Sequence, residues 1–329
     1  MDALFSEILG HESVKAGLVH AFNTGRMHHA ILMTGVAGIG KSMLARAFVQ
    51  AIMCEQSTPG HLARCLSCRN CTRIAKGIHP DVIEIDEPTA TIKIEVIRDL
   101  QQRLSFAPYE SERRFVIIQD VHKMQDAAAN CLLKTLEEPE AHTTFILITS
   151  QVQRLLPTIV SRCQVVRFAP FSFDEVAKFL ESHDVSPESA NQTAAMAGGS
   201  LGAGLELSSG DYKTEVIEAF EKILHVKSTL DGFEIASDLK GKKAMADPIL
   251  SLLQIYLRDM LVLKVAPKAP IILKHYQPEM TSRIASVSEK NLHRASLLVQ
   301  EINEAFLGNV NELVAWERLV LGMHGVLFN

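Results

Sequence analysis

The segment that most constrains the fold is GVAGIGKS, at positions 35–42. It matches the pattern G-x-x-x-x-G-K-[ST], follows an apolar run at 30–33 and precedes a helical pattern at 43–52, which is the strand-loop-helix order of a phosphate-binding loop. Glycines let backbone N–H groups close around phosphate oxygens, and the helix N-terminus adds partial positive charge. Lysine at the outer phosphates and serine on magnesium complete the expected site. The predicted ligands are Gly35, Gly38, Gly40, Lys41 and Ser42.

Short apolar runs of strand length alternate with helical patterns over the first 168 residues. The runs lie at 30–33, 82–85, 115–118, 145–148 and 165–168, with helical spacing at 94–104 and 127–136. Because the runs are apolar throughout and separated by helices, they predict a mainly parallel sheet that is covered on both faces. The expected fold class is therefore α/β.

The rest of the chain reads as helical, in two parts. A capping-box pattern at 172–175 and a Ser-Pro start at 186–187 each predict a helix, and the AGGS segment at 197–200 breaks the second one. We therefore predict a small helical lid at 169–207. The pattern remains helical from the SSGD segment near 208 onwards, which predicts an all-α domain at 208–329.

Four of the six cysteines are clustered with the spacing C-x10-C-x2-C-x2-C. Four thiolates suit a tetrahedral zinc ion at about 2.3 Å from each sulfur, and no ligand position remains for water, so the site would be structural. An iron–sulfur cluster is the rival interpretation, but its trailing proline is absent. Unliganded thiols are the other alternative. The predicted zinc ligands are Cys54, Cys65, Cys68 and Cys71.

A second site feature follows the apolar run at 115–118. A catalytic ATPase of this type is expected to have two acids there, to hold magnesium and orient water, but this chain has Gln119 and Asp120. A neutral amide cannot balance a divalent cation as a carboxylate does. Asp120 therefore joins the predicted nucleotide site, and we expect any bound nucleotide to be hydrolysed slowly.

Charge and hydropathy exclude several classes of function. The net charge of −5 argues against a protein that grips nucleic acid over its whole surface. No stretch of about 18 uncharged apolar residues predicts a membrane span, and the N-terminus has no apolar signal segment. A cytoplasmic protein is expected.

Four features occur together in a fixed order: GRMHHA at 25–30, the cysteine cluster, LLKTLEEP at 132–139, and SRC at 161–163. In this order they resemble the bacterial clamp-loader subunits, gamma/tau and delta-prime, of the AAA+ class. The resemblance covers the first 205 residues well and is looser beyond them. It implies an AAA+ P-loop domain at 1–168 with an inserted zinc module at about 54–79, the lid at 169–207 and a C-terminal collar at 208–329.

The resemblance also implies a role and partners. In this family a hetero-oligomeric ring with gamma/tau and delta subunits is held by the collar, and ATP binding opens a sliding clamp and grips primer–template DNA. The arginine of the SRC motif, Arg162 here, projects into the ATP site of the neighbouring subunit. From the residues alone, a structural arginine paired with an acid remains an equal alternative.

Three departures favour the delta-prime type, with little or no ATPase of its own: Gln119, Gly202 in place of a sensing arginine, and an end at Asn329 without the long tau tail. The intact phosphate loop supports the alternative of a short gamma-type subunit with active ATPase. A non-replicative AAA+ remodelling protein is a further alternative, although such proteins tend to carry two acids and the sensing arginine.

Overall fold

The computed structural model describes residues 4–58, 60–87, 91–208, 211–308 and 310–327. The chain divides into two compact units, Met1–Pro170 and Phe171–Asn329. Among the described residues, no helix combines the length and the apolar character that a bilayer crossing requires.

The first unit contains a five-stranded sheet in which every neighbouring pair is parallel, in the order β2-β3-β4-β1-β5. The strands are β1 Ala30–Thr34, β2 Val82–Ile85, β3 Arg114–Ile118, β4 Thr143–Thr149 and β5 Gln164–Arg167. Every residue of β1, β3 and β4 is buried, because helices cover both faces of these central strands. The predicted α/β class and parallel sheet are confirmed, although β5 lies at an edge and is only partly buried.

The helices of the first unit separate these strands. They are α1 Glu12–Asn23, α2 Lys41–Met53, α3 Arg69–Ala75, α4 Ile94–Leu104, α5 Asp126–Glu137 and α6 Pro157–Val160. One buried cluster joins α4 and α5 to the sheet through Ile97, Leu100, Leu132 and Leu136. Strands β1 and β3 flank β4 and run in the same direction, so the segments that follow them, the phosphate loop and Gln119, emerge at the same edge of the sheet.

The second unit is helical in its described residues. Its helices are α7 Phe173–Glu181, α8 Pro187–Met196, α9 Leu201–Ser208, α10 Asp211–Leu224, α11 Thr229–Leu239, α12 Ala246–Val265, α13 Gln277–Arg283, α14 Glu289–Leu307 and α15 Glu312–Leu327. The predicted capping box is present, since the Ser172 side chain accepts from the Glu175 N–H and the Glu175 carboxylate accepts from the Ser172 N–H.

One buried apolar cluster extends through this unit, from Met196 in α8 to Tyr256 in α12 and Trp316 in α15. The predicted separation of a lid at 169–207 from a collar at 208–329 stays a prediction. Ser209 and Gly210, at the predicted junction, lie outside the described residues.

Candidate nucleotide site, metal centre and surface arginine

The phosphate loop lies between β1 and α2, and its glycines have backbone angles that other residues rarely adopt. Gly38 has φ 69° and Gly40, which precedes α2, has φ 99°. The backbone N–H groups of Gly38, Gly40 and Lys41 donate no hydrogen bond within the part of the chain that the structure describes. Free N–H groups at a helix N-terminus form an anion-binding concavity, so this loop fits the phosphates of a nucleotide.

Gly35 is required for a second reason, which is close packing. Its φ is 154°, and an added Cβ would lie 2.7 Å from the Phe168 carbonyl oxygen and 2.9 Å from the Phe168 Cβ. His11 supports the loop from another side, because its Nε2 lies 3.2 Å from the Ile39 carbonyl oxygen and its ring packs edge-on against Phe168. Sequence reasoning missed this role of His11, because a histidine just before a helix carries no signal for it.

Lys41 lies within the loop and is buried. Its Nζ donates to the carbonyl oxygens of Gly35 at 2.7 Å and Val36 at 2.6 Å. Burial lowers the pKa of Lys41 to about 8, and the nearby Asp120 carboxylate partly opposes this shift. A lysine turned onto its own loop must exchange these carbonyls for phosphate oxygens when an anion binds.

Ser42 begins a chain of side-chain hydrogen bonds that the sequence did not reveal. Its hydroxyl donates to Gln119 Oε1 at 2.6 Å, and Gln119 Nε2 donates to Glu84 Oε1 at 3.0 Å. Glu84 in turn accepts from Arg46, whose Nε lies 3.0 Å from both carboxylate oxygens and whose Nη2 lies 2.5 Å from Oε1. A carboxylate inside the apolar run 82–85 was the one available signal, since a charge in a buried strand requires a partner.

Asp120 has φ 45° and leads into a short 3-10 helix, where its carboxylate pairs with Lys123 at 2.7 Å. Magnesium in nucleotide sites is held by carboxylates together with phosphate oxygens. Here the residue bonded to Ser42 is a neutral amide, and the carboxylates of Glu84 and Asp120 each have a cationic partner. This donor set does not fit a magnesium ion, so the predicted role of Ser42 as a magnesium ligand stays a prediction without support from its surroundings.

The four predicted zinc ligands come together. All four sulfur atoms lie within 4.8 Å of one another, with Cys54 Sγ 3.6 Å from Cys65 Sγ and 4.0 Å from Cys68 Sγ. Tetrahedral zinc places its sulfur ligands roughly 3.8 Å apart, so the cluster has the spacing of a structural zinc site. The four cysteines therefore fit a zinc ion, which would close this segment.

Local backbone geometry forms one half of this cluster. Leu66 has φ 58°, and the tight turn around it brings the Cys68 N–H to Cys65 Sγ at 3.2 Å. Hydrogen bonds from the N–H groups of Cys68 and Ser67 lower the pKa of the Cys65 thiol to about 6. Burial raises the pKa of Cys54 and Cys71, because a thiolate loses hydration there. A metal ion would compensate that loss.

Polar side chains attach the cysteine cluster to the rest of the unit. Gln50, buried in α2, donates to the Cys71 carbonyl at 2.9 Å and accepts from Arg64 Nε at 2.8 Å. Arg64 also pairs with Glu7, and Asn70 Nδ2 donates to the Met53 carbonyl at 2.8 Å. The cysteine cluster therefore holds the C-terminal end of α2, the helix whose N-terminus follows the phosphate loop. Sequence reasoning missed Gln50 and Arg64, because neither lies in a recognisable motif.

Arg162 lies between α6 and β5 and is partly exposed. Its Nη2 lies 2.5 Å from Glu137 Oε1 at the end of α5, and its Nη1 donates to the Thr158 carbonyl at 3.0 Å. The side chains of Arg162 and Glu137 are 34% and 48% exposed, so a partner molecule can reach the guanidinium. Both the structural pairing and the accessibility required for a role in trans are present. Gly202 lies in α9 of the second unit and is half-buried.

Comparison with known proteins identifies relatives of this chain. The family described as "DNA polymerase III, delta subunit" matches residues 10–172. The DNA polymerase III subunit delta-prime of Bacillus subtilis is 32% identical over 92% of this chain and 93% of its own length. The tau subunit of Escherichia coli is 32% identical over 74% of this chain but only 39% of its own length.

A solved gamma subunit-related protein from Thermotoga maritima covers 96% of this chain and 99% of its own, with 17% identity and a TM-score of 0.39. With so low an identity and TM-score, this structural likeness carries no argument about the family. The family is shown by the sequence relatives. Because the Bacillus relative exceeds 30% identity along nearly the full length of both chains, the chain belongs to the DNA polymerase III clamp-loader family that contains the delta-prime, gamma and tau subunits.

Proposed function

We propose that this chain is a delta-prime-type subunit of a DNA polymerase III clamp loader. In this role it takes part in ATP-dependent loading of the sliding clamp onto primed DNA in the cytoplasm, together with gamma/tau and delta subunits. It acts as a rigid ring subunit that supplies Arg162 to the ATP site of its neighbour. Its own hydrolysis of ATP is slow or absent, and its zinc ion is structural.

The observation that carries the proposal is the hydrogen bond between Ser42 and Gln119 at 2.6 Å. It puts a neutral amide where the magnesium of an ATPase requires negative charge. Arg162, in contrast, keeps a charged and reachable guanidinium. An arginine delivered in trans raises the rate of phosphoryl transfer by about 10³–10⁵-fold, so a subunit without its own turnover still contributes to catalysis.

A second candidate is a short gamma-type subunit with active ATPase. The free N–H groups of Gly38, Gly40 and Lys41 favour it, because they leave the phosphate-binding backbone in place. The two candidates differ in one measurable property, the turnover of ATP by the chain alone.

The test is the steady-state ATPase of the purified chain, of gamma with delta, and of the three mixed. We expect background turnover by the chain alone, at the level of its Lys41→Ala variant. We expect clamp- and DNA-stimulated ATPase to rise when the chain joins gamma and delta. Turnover by the chain alone that disappears in Lys41→Ala would establish the gamma-type candidate. Failure to co-purify with gamma and delta would exclude both.

A further inference from the structure

The phosphate loop and its surroundings differ in charge from a site built for a nucleotide with its magnesium ion. The ion normally neutralises oxygens of the β- and γ-phosphates, and protein carboxylates compensate the positive charge of the ion. In this chain Glu84, which bonds to Gln119, pairs with Arg46, and Asp120, which follows Gln119, pairs with Lys123. These four side chains sum to zero charge.

Because those four charges cancel, the net charge of the site depends on Lys41. It forms no ion pair with a carboxylate among the described residues, and its two hydrogen bonds go to carbonyl oxygens of the loop. The Lys41 ammonium, which Asp120 stabilises without forming an ion pair, and the free N–H groups of Gly38 and Gly40 attract an anion. A divalent cation at the same place would be repelled by this ammonium, while Glu84 and Asp120 already have cationic partners.

Gln119 differs from the expected acid in its hydrogen bonds as well as in its charge. An amide both accepts and donates, and Gln119 uses both abilities, accepting from Ser42 and donating to Glu84. A carboxylate at 119 cannot donate and would face Glu84 at about hydrogen-bond distance, which raises the free energy of the ionised pair. The chain from Ser42 to Arg46 therefore holds a neutral group beside the loop.

We propose that the phosphate loop binds a nucleoside di- or triphosphate without a magnesium ion, and that the hydrogen-bond chain Ser42–Gln119–Glu84 is the cause. Backbone N–H groups and Lys41 supply the binding, and magnesium contributes little to the affinity. Nucleotide then serves as a structural ligand of this subunit. The inference concerns the free chain and does not require the ring that the proposed function involves.

The experiment measures the affinity of fluorescent ADP and ATP analogues for the purified chain, with 0 or 5 mM magnesium. The buffer is stripped of metal on a resin and one equivalent of zinc is returned, because a chelator would also remove the ion from the cysteine cluster. We expect the two dissociation constants to agree within threefold, and we expect Lys41→Ala to abolish binding. A tenfold or greater loss of affinity without magnesium would overturn the proposal. Absence of binding in both buffers would also overturn it.

A charge-conserving exchange tests the cause. The double variant Gln119→Glu/Glu84→Gln moves the carboxylate next to Ser42, while the net charge and the number of donors and acceptors stay the same. We expect magnesium to strengthen nucleotide binding by this variant tenfold or more. If magnesium changed the nucleotide affinity of the double variant as little as that of the parent chain, Gln119 would not be the cause of magnesium-independent binding. Circular dichroism confirms its fold, and the magnesium comparison on the parent chain decides the main proposal by itself.

Discussion

The phosphate loop and the segment that carries Arg162 belong to the same unit but depend on different parts of the chain. The loop is made of backbone: positive φ angles at Gly38 and Gly40 leave N–H groups free to bind an anion. The Arg162 segment depends on one side chain, held by Glu137 and the Thr158 carbonyl at the surface. Under the proposed function, the difference teaches that anion binding and catalytic charge are separable, because one depends on backbone and the other on a side chain. Gln119 would then change what the loop can do without altering its backbone.

The largest effect that bears on this comparison comes from the cysteine cluster. Cys68→Ser should lose the zinc ion and lower the free energy of unfolding by several kcal/mol, a part of the roughly 10–16 kcal/mol that zinc supplies to isolated finger peptides. Because Gln50 and Met53 join the cluster to α2, nucleotide affinity should fall too. Elemental analysis and urea denaturation measure the first two effects.

The control for this variant is Cys163→Ser, which changes a thiol beside Arg162 and outside the cluster. It should retain one zinc per chain. A fully folded Cys68→Ser protein with unchanged stability, or a wild-type chain without zinc, would contradict the structural role.

Gly35→Ala tests whether the two regions are mechanically coupled. The added Cβ would collide with Phe168, the residue that follows the strand after Arg162, so we expect a loss of about 1–3 kcal/mol in the free energy of unfolding. Gly17→Ala is the matched control, because it lies in α1 with no atom within 4 Å of its added Cβ and should gain about 0.5–1 kcal/mol. Equal melting temperatures for Gly35→Ala and the parent would show that the contact is not needed.

The phosphate loop and the Arg162 segment carry different cations, an ammonium and a guanidinium, and the pH dependence of nucleotide binding distinguishes them. Since the pKa of Lys41 is lowered to about 8, its ammonium is lost as the pH rises through 8, and affinity should fall by up to about tenfold per pH unit above that value. Guanidinium groups keep their charge over this range. Titrations between pH 7.5 and 9.5 measure the effect. An affinity that rises or stays level up to pH 9.5 would contradict a charged Lys41 as the phosphate partner.

The smallest expected effect concerns Glu137. An ion pair as exposed as this one contributes about 0–1 kcal/mol, so Glu137→Gln should hardly change stability. A glutamine still accepts a hydrogen bond from Arg162, and we expect the ATPase of the loader to fall less than it does without the arginine. Glu138→Gln, the neighbouring exposed acid, is the control. If Glu137→Gln lowered the loader ATPase as much as loss of Arg162 does, the Glu137 carboxylate would be essential for the action of Arg162.

Much of the fold could be predicted because its signals are local. The apolar run 82–85 forms β2 and the helical pattern 94–104 forms α4, with the predicted bounds. Both signals lie in consecutive residues, because a buried strand is apolar throughout and a helix buries one apolar stripe. The capping box at Ser172 was equally local. The grouping of the four cysteines could be predicted from their spacing, which itself brings Cys65, Cys68 and Cys71 close together, whereas the zinc ion stays a prediction.

The side-chain partners within the site could not be predicted in the same way. Gln119 reaches Ser42, 77 positions away, and Glu84, 35 positions away, because β2, β3 and β1 lie parallel in one sheet. Sequence indicated that an acid was missing at 119 but not that the amide had two partners. The pair between Arg162 and Glu137 likewise depends on where α5 ends relative to β5. Such contacts follow from tertiary structure, which periodicity does not encode.

The most direct test of the central claim is the ATPase of a loader assembled from gamma, delta and either wild-type chain or its Arg162→Ala variant. Arg154→Ala, a nearby exposed arginine, is the control. We predict that Arg162→Ala leaves assembly intact and silences the one ATP site it serves, where about 10³-fold or more in rate should be lost, while Arg154→Ala retains the wild-type rate. Unchanged ATPase in a normally assembled Arg162→Ala loader would contradict the claim.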